Sequence, residues 1–256
     1  MARTIAVTGK GGVGKTTVAA MIIKYLRDNT PGPILALDAD PDCNLADVLG
    51  IAVDTTIGDL REDLLKEIRN FPPGMSKQAY IEAGLHQIIV ETPKVDLITM
   101  GRGEGPGCYC YLNNLLRKFA DDLLPQYQWL VMDNEAGMEH LSRRTTSKVD
   151  HLIVVANESP LSLDCARRVA RLLGSMDREV HEKYVLFNAV RADRLDALTR
   201  QITDLGLAIL GNIPPDPSLE QALIDRTSLY DLHDSPAVAE MNRIMAKLME
   251  TAASLN

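Results

Sequence analysis

The segment GKGGVGKT, residues 9–16, follows the apolar run TIAVT (4–8) directly and opens a stretch of helical periodicity over 15–28. It fits G-x-x-x-x-G-K-[ST], in which glycines let backbone N–H groups turn inward around phosphate oxygens. The N-terminus of the helix that follows adds partial positive charge at the same place. Gly9, Gly11, Gly12, Val13, Gly14, Lys15, Thr16 and Thr17 are therefore expected to hold the phosphates of a nucleotide. In that arrangement Lys15 supplies a mobile cation to the β- and γ-phosphates and Thr16 holds Mg²⁺ through its hydroxyl. A glycine turn matching the pattern by chance does not account for strand, loop and helix in register.

The rest of the chain repeats this alternation. Apolar runs ILALD (34–38), VDLITM (95–100), WLVMD (129–133), HLIVVA (151–156), YVLFNAV (184–190) and LAILGNI (207–213) have the length and composition of buried strands. Helical segments are expected over 15–28, 111–124, 162–175 and 194–204. The pattern predicts an α/β fold, a mostly parallel sheet covered by helices on both faces, with ligands at the carboxyl ends of the strands. One domain over 1–256 is expected, with 56–91 a polar helical excursion hinged at Pro72 and Pro73 inside it. Met241, Ile244, Met245, Leu248 and Met249 recur at helical spacing near the C-terminus and read as a helix packed on the domain.

Charge narrows the partners. Lys plus Arg number 27 against 35 Asp plus Glu, a formal charge of -8, which disfavours coating of nucleic acid. No apolar run approaches the roughly 20 residues that span a bilayer. The final helical segment, with Arg243 and Lys247 balanced by Glu240 and Glu250, is a poor membrane anchor. No basic, apolar and cleavable leader precedes the first strand, so the chain is expected to be cytoplasmic, with no nucleic-acid or membrane partner.

Lys10 is not required by the general loop pattern. With it the loop reads KGGVGKTT and resembles the deviant Walker A of the dimeric ATPase group that includes MinD, ParA and the nitrogenase iron protein. The resemblance implies ATP as the nucleotide, a self-partnered dimer, and a Lys10 that crosses the two-fold interface to stabilise charge during hydrolysis. A solvated surface lysine is the alternative. LDADPDCN (37–44) resembles the group's first switch, which implies that Asp40 orients the attacking water and Asp38 lies near Mg²⁺. VMDNEAG (131–137) resembles the second, implying that Asp133 holds Mg²⁺ through water and Gly137 offers its N–H to the γ-phosphate. Asn188 and the loop NIPPDP (212–217), with Pro214 and Pro215, match positions that contact adenine in that group.

Two of the four cysteines stand in CYC, Cys108 and Cys110. Residues at i and i+2 of an extended segment point the same way, so both sulfurs can address one ion. A closed tetrahedral site wants four protein ligands, and no second pair is visible. A two-fold dimer would bring two pairs together, a donor set suited to Zn(II), Ni(II) or Cu(I). Cys43 and Cys165 read as buried, inert thiols.

GKGGVGKTT, DADPD, CYC and DNEAGMEHLSRRTT together resemble the CooC-type maturation ATPases, which assist nickel insertion into carbon monoxide dehydrogenase. The resemblance implies that Cys108 and Cys110 bind nickel or zinc at the dimer interface and that carbon monoxide dehydrogenase is the client. His140 belongs to the shared signature and reads as a structural residue at a helix start. Three alternatives give the ATPase other work, namely nickel insertion into acetyl-CoA synthase, electron transfer through an iron–sulfur cluster as in the nitrogenase iron protein, and positioning of the MinD or ParA kind. The first shares the thiol pair; C-x-C spacing argues against the second, and acidic charge against the third.

Overall fold

The computed structural model describes residues 2–67, 83–101, 123–134, 148–174 and 179–254. Among these residues seven strands form one sheet: β1 (Arg3–Gly9), β2 (Ile34–Ala39), β3 (Val95–Thr99), β4 (Trp129–Asn134), β5 (Lys148–Ala156), β6 (Glu179–Asn188) and β7 (Ala208–Ile213). Their order is β3-β2-β4-β1-β5-β6-β7, and every pairing between them is parallel. The seven apolar runs are these seven strands, and the expected parallel α/β layout holds.

Burial on both faces explains why the runs are almost uniformly apolar. Alternate residues feed two cores. Ile5, Val7, Ala36, Val131, Ile153 and Val155 point to one, with helices α1 (Lys15–Asn29), α2 (Asn44–Leu49), α6 (Pro217–Ile224) and α7 (Pro236–Ser254). Ala6, Leu35, Leu37, Leu130, Met132, Leu152 and Val154 point to the other, beneath α3 (Ile57–Glu67), α4 (Pro160–Leu173) and α5 (Ala192–Arg200). Met241, Ile244, Met245 and Leu248 of α7 are buried in the first core, as their spacing predicts. Among the described residues no helix is long and apolar enough to cross a membrane.

Boundaries differ from the sequence expectation where polarity masks structure. β5 begins at Lys148 and β6 at Glu179, each several residues before its apolar run, because their first residues include charged ones at the sheet's rim. β6 stops at Asn188 because Ala189 turns into the left-handed region, φ 55°. α6 is not among the expected helices: it is short, and Pro214, Pro215 and Pro217 make its start read as a loop, leaving Asp216 as its one local signal. Of the excursion, 57–67 is helical as expected; Pro72 and Pro73 lie outside the described residues, as does most of the expected helix at 111–124.

β1 lies between β4 and β5. The connections that follow it run to β2 and β3 on the β4 side, and after β4 the chain continues in β5, β6 and β7 on the other side, so the order reverses here and a crevice opens at the carboxyl end of β1. The loop 9–16 sits there.

Candidate functional site

Gly12 and Gly14 both take positive φ, 79° and 89°, a conformation that penalises any Cβ. At Gly14 space is also missing, because a Cβ there would lie 2.3 Å from the Asn188 amide. At Gly11 and Gly12 nothing lies within 4 Å of where a Cβ would point, so that part of the loop is open. The chain then enters α1 at Lys15, with Val18 N–H bonding the Gly14 carbonyl at 2.9 Å. No side chain caps this helix, and Gly14 is its N-cap residue. The free N–H groups of the first turn are those an anion would engage.

A cavity of about 510 Å³ opens over the loop, lined among others by Gly11, Gly12, Gly14, Lys15, Thr16, Thr17 and Asp40. Seven residues expected at the phosphates or the attacking water are therefore brought to one cavity. Lys10 is half-buried at the start of the loop, and its ammonium has no hydrogen-bond or ion-pair partner among the described residues.

Two carboxylates stand beneath the loop. Asp38 and Asp133 are opposite each other at the ends of β2 and β4, and both are fully buried. Asp38 accepts from Asp40 N–H at 3.1 Å and Leu45 N–H at 3.0 Å, which draws the turn after β2 back over the strand end. Burial is the main cause that lifts its carboxyl to about 7, with Asp133 adding repulsion. Both Asp133 oxygens lack a hydrogen-bond partner among the described residues. Burial pushes this carboxyl to about 6; the Thr16 hydroxyl and Lys15 ammonium, close by, pull it back only in part. An orphaned buried carboxylate beside the threonine and lysine of a phosphate loop fits a divalent cation as the missing partner.

Asp40 lies further out, half-buried. Its carboxylate accepts from Asp42 N–H at 3.1 Å and its carbonyl from Cys43 N–H at 3.1 Å. Cys43 takes φ 55° in this turn and is half-exposed, less buried than expected; burial and Asp38 push its thiol up, away from reactivity. Cys165, on the core-facing side of α4, is buried, as expected.

The residues matched to adenine contacts are distributed differently. Asn188 donates to the Val13 carbonyl at 2.9 Å and so braces the phosphate loop. Pro214 is half-buried and Pro215 exposed, and neither they nor Asn188 line the 510 Å³ cavity. Asp216 anchors their loop. It accepts from Ser218 N–H (2.9 Å) and Leu219 N–H (3.2 Å) at the start of α6, and from Ser235 Oγ (2.5 Å) and Ala237 N–H (3.0 Å) at the start of α7. Burial raises this carboxyl, but the Ser218 and Ser235 hydroxyls with the Ala237 and Leu219 amides outweigh it and hold it well below the usual carboxylate range. An aspartate directly before Pro217 is the visible signal of an N-cap. Leu223, Arg226 and Thr227 also line the cavity and are not anticipated from the sequence.

Gly137, His140, Cys108 and Cys110 lie outside the described residues. Among the described residues no cluster of three or more His, Cys, Asp and Glu could hold a metal ion.

Residues 4–229 match the model of the CobQ/CobB/MinD/ParA nucleotide binding domain. The chain is 40% identical over 255 residues to an uncharacterised ATP-binding protein of Methanocaldococcus jannaschii, covering 98% of this chain and 97% of that one. It is 31% identical over 267 residues to the carbon monoxide dehydrogenase accessory protein CooC of Rhodospirillum rubrum, covering 96% of each. Among solved structures, MinD of Pyrococcus horikoshii with Mg-ADP superposes with a TM-score of 0.69 at 19% identity over 98% of each chain. MinD of Aquifex aeolicus gives 0.68 at 23% identity over 97% of each. With its parallel sheet, its phosphate loop at the end of β1 and this match over most of its length, the chain belongs to the CobQ/CobB/MinD/ParA family of nucleotide-binding proteins.

Proposed function

We propose that the chain is a Mg-ATP-dependent dimeric ATPase that carries nickel to carbon monoxide dehydrogenase, its metal cargo held by Cys108 and Cys110 of two subunits. The observation that carries the ATPase reading is Asp133, buried and orphaned beside Thr16 and Lys15 at the mouth of the loop. Gly11, Gly12 and Gly14 present backbone N–H groups to phosphate oxygens, and Lys15 balances the charge that builds up on them. Thr16 and Asp133, with Asp38 beside them, would hold Mg²⁺, which when bound supplies Lewis-acid polarisation of the phosphate oxygens. Asp40, half-exposed at the cavity edge, holds the attacking water in line. Lys10, without a local partner, reaches the neighbouring subunit's nucleotide and stabilises charge in hydrolysis. Gly137 adds an N–H at the γ-phosphate, and the loop of Asn188, Pro214 and Pro215 receives the base.

The cargo reading rests on the C-x-C pair and on likeness to CooC over almost the whole chain. Four thiolates gathered from two subunits make affinity depend on dimer geometry, and nucleotide state then sets capture and release. The test of the ATPase reading is nucleotide titration with molar-mass measurement on wild type and Lys15→Ala. Wild type should bind Mg-ATP and dimerise, and the variant should do neither. ATP affinity unchanged in Lys15→Ala would remove the loop assignment.

A further inference from the structure

The 510 Å³ cavity over the phosphate loop is also lined by the end of α6, through Leu223, Arg226 and Thr227. Arg226 N–H bonds the Leu223 carbonyl at 3.3 Å and Thr227 N–H bonds the Ala222 carbonyl at 2.9 Å. These are the two hydrogen bonds of a Schellman helix ending, in which the first residue past the cap takes the left-handed conformation. Arg226 does so, with φ 53°. Glycine is the usual occupant because any Cβ is penalised there. Here the position carries an arginine whose side chain returns nothing to the fold: it is exposed, and its guanidinium has no hydrogen-bond or ion-pair partner among the described residues.

The surroundings say what such a cation is for. Asp40, Asp42 and Asp47 line the same cavity and give a cation there a favourable field. The loop offers Lys15, Thr16 and Thr17 to a phosphate chain in this cavity, and among the described residues that line it Arg226 is the one cation besides Lys15. A guanidinium matches phosphate oxygens in a two-pronged geometry that an ammonium lacks.

We propose that Arg226 is a nucleotide-contacting residue that reaches the phosphate chain from the end of α6. This rests on the ATP-binding reading above. The arginine and the loop then grip the same phosphates from two elements, so affinity grows with the number of phosphates carried.

Arg226→Gly tests this cleanly, because glycine keeps the left-handed backbone and removes only the side chain. Calorimetric titration with Mg-ATP, Mg-ADP and AMP, alongside thermal unfolding, should be run on wild type, Arg226→Gly and Arg226→Lys. The expected result is a roughly 10- to 100-fold loss of Mg-ATP and Mg-ADP affinity in Arg226→Gly, from one charge-assisted contact. AMP should lose less, Arg226→Lys should recover part of the affinity, and the glycine variant should unfold no earlier than wild type. Mg-ATP and Mg-ADP affinities within about twofold of wild type in Arg226→Gly would overturn the proposal and leave the loop assignment standing. A wild type that binds none of the three would instead overturn the ATP reading, and Arg226 with it.

Discussion

Replacing Asp133 by asparagine should make the metal-free protein more stable while removing its activity. Asp133 is fully buried, with neither oxygen partnered among the described residues. A carboxyl pushed from 3.8 to about 6 disfavours its ionised form by about 3 kcal/mol, at about 1.4 kcal/mol per factor of ten. The sign follows from linkage. The folded state binds this proton more tightly than the unfolded state, so wild-type stability falls as pH rises from about 4 to about 6 and stays depressed above that. The substituted asparagine would carry no such penalty, but its amide needs acceptors of its own, and an unmet one returns about 1 kcal/mol or more. The net gain at about pH 8 is then about 1–3 kcal/mol, a rise in melting temperature of roughly 3–10 °C for a chain of this size. Thermal unfolding in EDTA at about pH 8 and about pH 4 is the assay; the advantage should shrink toward zero at the lower pH. Added Mg²⁺ and nucleotide should stabilise wild type and leave Asp133→Asn behind. An Asp133→Asn protein no more stable than wild type in metal-free alkaline buffer would sink this prediction, since it would mean Asp133 already has its partner.

Asp216→Ala should cost about 2–4 kcal/mol, because one carboxylate caps both α6 and α7 and each lost cap is worth about 1 kcal/mol before the stranded Ser235 hydroxyl is added. Urea unfolding measures it; since the folded carboxyl titrates well below the usual range, the wild-type advantage should be full above about pH 4 and fade as acid is added below that. Lys10→Ala should bind Mg-ATP normally yet lose ATP-driven dimerisation and hydrolysis; unaltered turnover would return Lys10 to the role of a solvated surface lysine.

The parts of this molecule legible in its sequence are those where one physical demand dominates. Strands buried on both faces must be apolar throughout, so ILALD and HLIVVA announce themselves, and a phosphate loop must be glycine-rich between strand and helix. Where two demands overlap, the signal fades. The rim of β6 carries Glu182 and Lys183 beside a buried register, and its start reads as loop. Resemblance matches Asn188 to a base contact, and the structure adds a bond from its amide N–H to the Val13 carbonyl, a tie across 175 positions that no local pattern encodes. Asp216 is visible as the cap of one helix, whereas its second helix begins well downstream, at Pro236. Arg226 is invisible because left-handed backbone under an arginine has no sequence mark. Cys108 and Cys110 rest on the sequence alone.

Everything proposed about cargo depends on nucleotide controlling a metal shared between two subunits. Nickel and zinc content should be measured anaerobically together with molar mass, for wild type and for Cys108→Ala/Cys110→Ala, with and without Mg-ATP. One metal per dimer is expected, lost in the double variant and altered by nucleotide. Metal content unchanged by the double substitution would contradict nucleotide-controlled metal sharing and make the thiol pair incidental to whatever work the ATPase does.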